Sequence, residues 1–525
     1  MIKSEDIDVV IIVTNVLLFL IYRIIDIITV TIVKSNKEAK MNDEHPLVYN
    51  TQPYAHQIEA LRRAWGNPGF AFFLEQGTGK SKIIVDEIVN CIERGIINCA
   101  VILAPNTVHA NWKNEFLKHW PNYDKWIIQI WRSNTNKINR EMETRRIIDS
   151  GKVLVFLMNI EALSSEGGKE YLKRVLLARK RAYLAVDESH KIKTPTAQRT
   201  KACIEIGNYA YIRRIATGTE AEEGLENLYS QFRFLNQNII GLRSFTAFRS
   251  MFCVMGGYEN REIKGYQNQE ILAQRIAPFT YQKRKKDCLD LPDKVYVTHE
   301  IGMTPTQMEL YDRLEEELII ELQSGAIVDA TMAMTRMMRL QQVLCGHINS
   351  SEEKHRHNPD LVPSHRADYT AEIVEEASSK CIVFCRFIMD VQLICSALAN
   401  RAIRSVGISS LVDGSTRLKE IDRWRYDPEI KTLAITTATG GTGLTLNEAS
   451  TTIFYSNGWS STDRIQAEDR NHRIGTLSKV TYHDIVVKNR IDHRLLFVLK
   501  QKQTTANWFR NITNIHKFMT ENIEE

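Results

Sequence analysis

The turn Leu74-Glu75-Gln76-Gly77-Thr78-Gly79-Lys80-Ser81 has what a bound phosphate needs. Gly77 and Gly79 let the backbone N–H groups around Thr78 curl about an anion, and a helix starting near Lys80 adds its favourable dipole. Lys80 would reach the β- and γ-phosphates, and the Ser81 hydroxyl would hold Mg²⁺. Leu74 stands where the general phosphate-loop pattern has its first glycine, so only the shorter G-x-G-K-S core is present. A glycine-rich turn with no ligand is the rival reading of that string alone.

Two further strings carry chemistry only in company with the first. Asp187-Glu188-Ser189-His190 follows an apolar run and so ends a strand, on the edge where α/β sheets bind ligands. An acidic pair there suits metal holding by Asp187 and activation of an attacking water by Glu188. In isolation it would be a solvated strand end. Gln466, Arg470 and Arg473 lie in a polar cluster ending at Gly475. Two arginines three apart share one face of a helix, and such guanidiniums can cross a cleft to the γ-phosphate of ATP. Alone, that cluster would read as a charged, solvated helix.

The elements that position these groups follow from hydrophobic patterning. Short apolar runs at residues 70–74, 100–104, 153–158, 183–186 and 212–216 alternate with helical periodicity, which predicts a parallel sheet wrapped by helices. A second series at 381–385, 432–436, 452–455 and 480–486 predicts another lobe of the same kind. Between them, residues 309–322 and 331–344 have helical spacing, while 350–366 is polar and reads as a loop. The expected division is an apolar extension over 1–40, an α/β lobe over 41–240, a mainly helical region over 241–370 and a second α/β lobe over 371–525.

Taken in order, these strings resemble the SWI/SNF-like branch of helicase superfamily II over roughly residues 50 to 495. Gln57 in Pro53-Tyr54-Ala55-His56-Gln57 resembles the adenine-reading glutamine, and Lys80 and Ser81 match motif I. Pro105 and Asn106, with Trp112 further on, resemble the DNA-touching motif Ia. Asp187 and Glu188 match motif II, and Thr217-Gly218-Thr219 matches the motif III that couples the lobes. The stretch 278–292, ending Asp290-Leu291-Pro292, resembles the segment that enters the inter-lobe region. Arg386 falls on motif IV, Thr436, Thr437 and Gly443 on motif V, and Gln466, Arg470 and Arg473 on motif VI. The departures are Ser189 in the acidic box, Ala438 in place of arginine and Thr476 in place of glutamine. None removes a group needed for hydrolysis, whereas Ala438 alters the DNA grip of motif V.

The resemblance implies two RecA-like lobes with ATP and Mg²⁺ in the cleft between them and a duplex across both. It implies an ATP-hydrolysing motor that runs along double-stranded DNA and remodels complexes of replication, repair, recombination or transcription. The rival readings are a strand-separating DNA or RNA helicase of the same superfamily and an ATP-driven switch that displaces a protein partner. The basic run Lys283-Arg284-Lys285-Lys286 reads either as a phosphate-backbone contact or as a solvated loop.

Bulk numbers agree with an ordinary soluble globular protein. The 525 residues are 43% hydrophobic and 25% charged, with a formal net charge of +5 that permits a polyanion partner without arguing for one. Nine cysteines are scattered without a C-x-x-C pair, which points to a reducing compartment, the cytoplasm or a eukaryotic nucleus, and to no zinc. Residues 9–33 are almost all apolar and long enough to span a bilayer, yet Arg23 and Asp26 interrupt them. Each such charge costs roughly 2.5–3.5 kcal/mol at mid-membrane. A translation start at Met41 is the leading expectation, with a membrane anchor and a packed helix as alternatives; a membrane is not expected as a partner.

Overall fold

The computed structural model describes residues 47–132, 135–218, 224–257, 262–323, 330–349, 359–440, 444–476 and 478–500. The apolar stretch 9–33 and Met41 lie outside them. Among the described residues no helix is long and apolar enough to cross a membrane.

The first lobe is built on seven strands: β1 (Gly69–Leu74), β2 (Cys99–Leu103), β3 (Trp126–Ile130), β4 (Val153–Met158), β5 (Ala182–Asp187), β6 (Ile212–Thr217) and β7 (Thr280–Lys283). They form one all-parallel sheet in the order β3-β4-β2-β5-β6-β1-β7. Helices cover both faces, so the inner strands are apolar on both sides. Phe70, Phe72 and Leu74 pack into one core, and Ala71 and Phe73 into the other. Under the sheet, Arg214 and Glu87 form a buried pair, with Arg214 Nε 2.9 Å from Glu87 Oε2. The Tyr183 hydroxyl donates to the same carboxylate at 2.7 Å.

The second lobe repeats the plan with β8 (Lys294–Ile301), β9 (Lys380–Cys385), β10 (Arg404–Ile408), β11 (Ile430–Thr436), β12 (Ala449–Phe454) and β13 (Val480–Val487). Their order is β8-β13-β12-β9-β11-β10, again all parallel. Two α/β lobes are therefore present, as the two series of apolar runs predict.

The intervening region is mainly helical, with helices Phe245–Phe252, Gln269–Ile276, Pro305–Gln323 and Ala330–Cys345. Tyr311, Leu318, Met337 and Leu340 of the last two helices share a core with Ile491 and Val498 of the helix Ile491–Lys500, which docks the pair on the second lobe. Besides two short hairpin-like pairs, the same region also supplies one strand to each large sheet, neither of which hydropathy showed. Thr280–Lys283 extends the first sheet beside β1, and Lys294–Ile301 extends the second beside β13. The chain thus passes from one lobe to the other within the few residues after Lys283.

Candidate active site

Parallel order puts the C-terminal ends of β1, β5 and β6 side by side, and the groups singled out from the sequence sit at those ends. The loop after β1 reaches the helix Lys80–Glu93 through Gly77 and Gly79, with φ of +81° and +85°. Glycine takes that backbone geometry without strain. Lys80 Nζ donates to the carbonyls of Leu74 at 2.7 Å and Glu75 at 3.2 Å, and Thr78 Oγ1 donates to the Glu75 carbonyl at 2.7 Å. Burial pulls the Lys80 ammonium below its usual range, against the opposing fields of Glu188, Asp187 and Asp469. Ser81 stands half-buried next to it. Gln57 lies against the loop: its Nε2 donates to the Thr78 carbonyl at 3.2 Å, and its Oε1 accepts from Tyr54 N. His56 Nε2 meets the same carbonyl at 2.9 Å.

Asp187 ends β5, and Glu188 follows in the left-handed region at φ 52°. Trp112 Nε1 donates to Asp187 Oδ2 at 2.9 Å, so the tryptophan after motif Ia braces the acidic box. Burial and the neighbouring Glu188 raise Asp187 to about 6. For Glu188 burial pushes the same way, but His190, Lys80 and Arg470 outweigh it and hold the carboxyl below its usual range. His190 Nδ1 stands 3.4 Å from Glu188 Oε2 and 3.5 Å from Thr217 Oγ1. Gly218 abuts the phosphate loop, where an added Cβ would come within 2.9 Å of Gln76 Cγ. Thr219 lies outside the described residues.

The second lobe closes over this edge. The helix Ser461–Glu468 carries Gln466 but stops before the arginines, so Arg470 and Arg473 stand on an irregular turn and not on one helical face. Side-chain bonds hold that turn in place of a helical ladder. Buried Asn471 donates to Ala449 O and Thr452 Oγ1 of β12, and Thr476 Oγ1 donates to the carbonyls of Asn471 and Arg473. Arg473 packs on Gly77, and its Nη1 donates to Thr445 Oγ1 at 2.8 Å. Arg470 is buried in the field of Glu188, and burial with the neighbouring Arg473 lowers it to about 10. Motifs I, II, III and VI are therefore brought together. Gly443 lies outside the described residues.

The residues expected to touch DNA lie at other strand ends of the two sheets. Pro105 is buried and Asn106 exposed at the start of the short turn Asn106–Val108 after β2. Arg386 follows β9; its Nη1 donates to Gln341 Oε1 at 2.6 Å, and its guanidinium lies over the Phe387 and Trp459 rings. Thr436 ends β11 with its hydroxyl on Thr439, and Thr437 Oγ1 donates to the Cys385 carbonyl. Ala438 beside them is exposed.

The basic run after β7 holds what the sequence reading did not reach. Arg284 and Lys286 are exposed, but Lys285 is buried, with its ammonium 2.5 Å from Asp469 Oδ1. That excludes Lys285 from both sequence readings, the solvated loop and the phosphate contact. Four adjacent basic residues carry no sign of which one turns inward.

The residues fit a magnesium nucleotide. Two left-handed glycines frame the loop, a half-buried ammonium lies within it, and a half-buried carboxyl pair faces it. Among the described residues no group of three or more His, Cys, Asp or Glu side chains is placed to hold a metal. An ion here would therefore share its ligands with the nucleotide's phosphates.

Comparison with known proteins identifies the family. The SNF2-related domain family matches residues 22–349, and the helicase conserved C-terminal domain matches residues 365–475. An uncharacterized ATP-dependent helicase of Mycoplasma genitalium is 24% identical over 480 residues, 90% of this chain and 43% of that protein. The ISWI chromatin-remodeling complex ATPase ISW2 of Saccharomyces cerevisiae is 25% identical over 420 residues, 77% of this chain and 35% of that protein. The SWI2/SNF2 ATPase core of Sulfolobus solfataricus, solved in complex with dsDNA, aligns with 91% of this chain and 100% of its own at 20% identity and a TM-score of 0.41. The chain spans less than half the length of these curated relatives.

Proposed function

This chain belongs to the SNF2-related domain family, and on that premise we propose that it is a DNA-dependent ATP hydrolase that moves along duplex DNA. One observation carries the reading: Arg473 of the second lobe packs on Gly77 of the phosphate loop in the first. A site completed only when two lobes meet converts a nucleotide cycle into lobe movement.

In this reading Gln57 reads the adenine, and the backbone from Gly77 to Gly79 cradles the phosphates. Lys80 turns from the Leu74 and Glu75 carbonyls to the β/γ-phosphates. Ser81 and Asp187 would hold Mg²⁺, which when bound supplies charge neutralisation on the transferred phosphoryl group. Glu188 is kept ionised by its cationic neighbours and takes a proton from the attacking water. Arg470 and Arg473 offset the charge that develops as the bond to the leaving ADP breaks. Thr217, Gly218 and Thr219 pass the change between the lobes.

Pro105, Asn106, Arg386, Thr436 and Thr437 track the phosphate backbone, a contact with little base specificity. The cargo is a protein–DNA complex of replication, repair, recombination or transcription. The compartment is a reducing one, the cytoplasm or nucleus, in keeping with nine free thiols of which seven are buried. The test is the rate of ATP hydrolysis with duplex, single-stranded and forked DNA and with RNA at fixed salt. Duplex should stimulate most, displace a triplex-forming third strand and lose its effect steeply with salt. Stronger stimulation by RNA, or unwinding of a long blunt duplex, would replace this reading with that of a strand-separating helicase.

A further inference from the structure

Lys285 is 8% exposed and lies where the two lobes and the phosphate loop meet. Its backbone N–H donates to the Glu75 carboxylate of that loop, and its Cε passes 3.6 Å from the Cβ position of Gly77. Its ammonium donates to Asp469 Oδ1 at 2.5 Å and to the His472 carbonyl at 2.9 Å. Asp469 and His472 are the residues immediately before Arg470 and Arg473. One side chain thus spans from the loop that would hold ATP to the turn that carries both arginines.

The two ends of this contact belong to different lobes. Lys285 lies two residues past the end of β7, which is hydrogen-bonded to β1, and Glu75 N donates to the Lys283 carbonyl at 3.3 Å. The turn 469–476 is bonded to β12 of the second lobe. The crossing segment is tied at its far end too: His472 Nε2 meets the Pro292 carbonyl at 2.7 Å, and Lys294 reaches Glu468 at 2.9 Å. The Lys285–Asp469 pair therefore bridges the lobes, and opening them would part Lys285 from Asp469, which keeps Lys294 of its own lobe 3.6 Å away. A buried ion pair adds little net stability over a well-packed apolar pair of similar volume. What it does add is a requirement for one register.

We propose that Lys285 is a positioning residue, a closure-dependent pin that sets Arg470 and Arg473 against the phosphate loop for hydrolysis. The proposal rests on the ATP-hydrolase reading above. Lys285 does not touch the nucleotide in this account; it acts through Asp469 and the His472 carbonyl. A shift of about 1 Å in such a constellation costs on the order of 100-fold in rate.

The test is steady-state ATP hydrolysis on duplex DNA by the full chain and by Lys285→Met, Asp469→Asn, the double variant and Lys285→Arg. Lys285→Met should lower kcat on the order of 100-fold while KM for ATP moves less than about threefold. Asp469→Asn should lose a similar amount, and the double variant no more than either single one, because all three remove the same pin. Lys285→Arg, which keeps the charge and the reach, should recover most of the turnover. The double variant leaves no lone charge of this pair buried, so its turnover decides the matter even where Lys285→Met fails to fold. Near-normal kcat in the double variant, losses that multiply, or a fall confined to KM would overturn the pin. A wild-type chain without ATP hydrolysis would overturn the functional reading instead.

Discussion

Gly77 and Arg473 touch across the cleft between the lobes: a β-carbon added to Gly77 would lie 2.7 Å from the Cβ of Arg473. The glycine also has a φ of +81°, so any side chain there is both strained and in collision with the opposite lobe. Gly77→Ala should therefore hold the lobes apart. The local backbone cost is about 1–2 kcal/mol, too small to unfold a lobe. Turnover should nonetheless fall on the order of 100-fold, since the arginines no longer reach their places. Thermal unfolding and duplex-stimulated hydrolysis on the same sample check this, and normal turnover would mean that the contact is not used.

Lys80 and Arg473 should fail in different ways. Lys80 lies in the loop itself, so Lys80→Ala should weaken ATP binding as well as turnover. Arg473 comes from the other lobe and serves mainly the transition state, so Arg473→Ala should bind ATP and DNA yet lose roughly 10³–10⁵ in rate. A merely decorative arginine would change turnover less than about twofold. Nucleotide affinity and single-turnover hydrolysis of both variants separate the two.

Magnesium dependence should turn on Asp187, whose carboxyl is raised from 3.8 to about 6 by burial and Glu188. Below about pH 6 a proton competes for that carboxylate, so the Mg²⁺ needed for half-maximal turnover should rise about tenfold per pH unit. Titrations at pH 7.5, 6 and 5 measure this, and a flat requirement would remove Asp187 from the metal site.

The same shift has a stability side. A carboxyl whose folded pKa is raised adds stability that is full below its unfolded value and lost as the pH rises through the folded one. In metal-free protein, ionised Asp187 thus destabilises the fold at neutral pH. Asp187→Asn should raise the melting temperature at pH 7.5 and lose that advantage as the pH falls from 6 toward 4. A gain that does not shrink with acid would show that the charge is not its source.

Away from the cleft, Arg214→Met would strand the Glu87 carboxylate in the first lobe's core. Removing one partner of such a buried pair costs about 3–5 kcal/mol. Adding Glu87→Leu should recover most of the loss, as both charges are then gone. Denaturant unfolding of the two variants gives the answer, and an unchanged midpoint for Arg214→Met would show that the pair carries no such load.

The sequence by itself determined the inner strands and most of the groups at their ends. β1, β2, β4, β5 and β9 are covered on both faces and are nearly unbroken apolar runs followed by their polar payload, while β6, β11, β12 and β13 mix in polar residues yet keep enough buried apolar positions to show. In the two large sheets the strands not legible were β3, β7, β8 and β10, which are their edges. An edge strand is half-solvated, so sequences such as Lys294–Ile301 carry lysine, threonine, histidine and glutamate and lose the signal. The phosphate loop and acidic box were readable because each is local, its geometry fixed by neighbours in the chain. The structure alone decided that Trp112 braces Asp187, that the motif VI arginines stand on a turn, and that Lys285 faces inward. Each of these depends on a partner far away in sequence, and side-chain type carries no record of which distant residue will meet it.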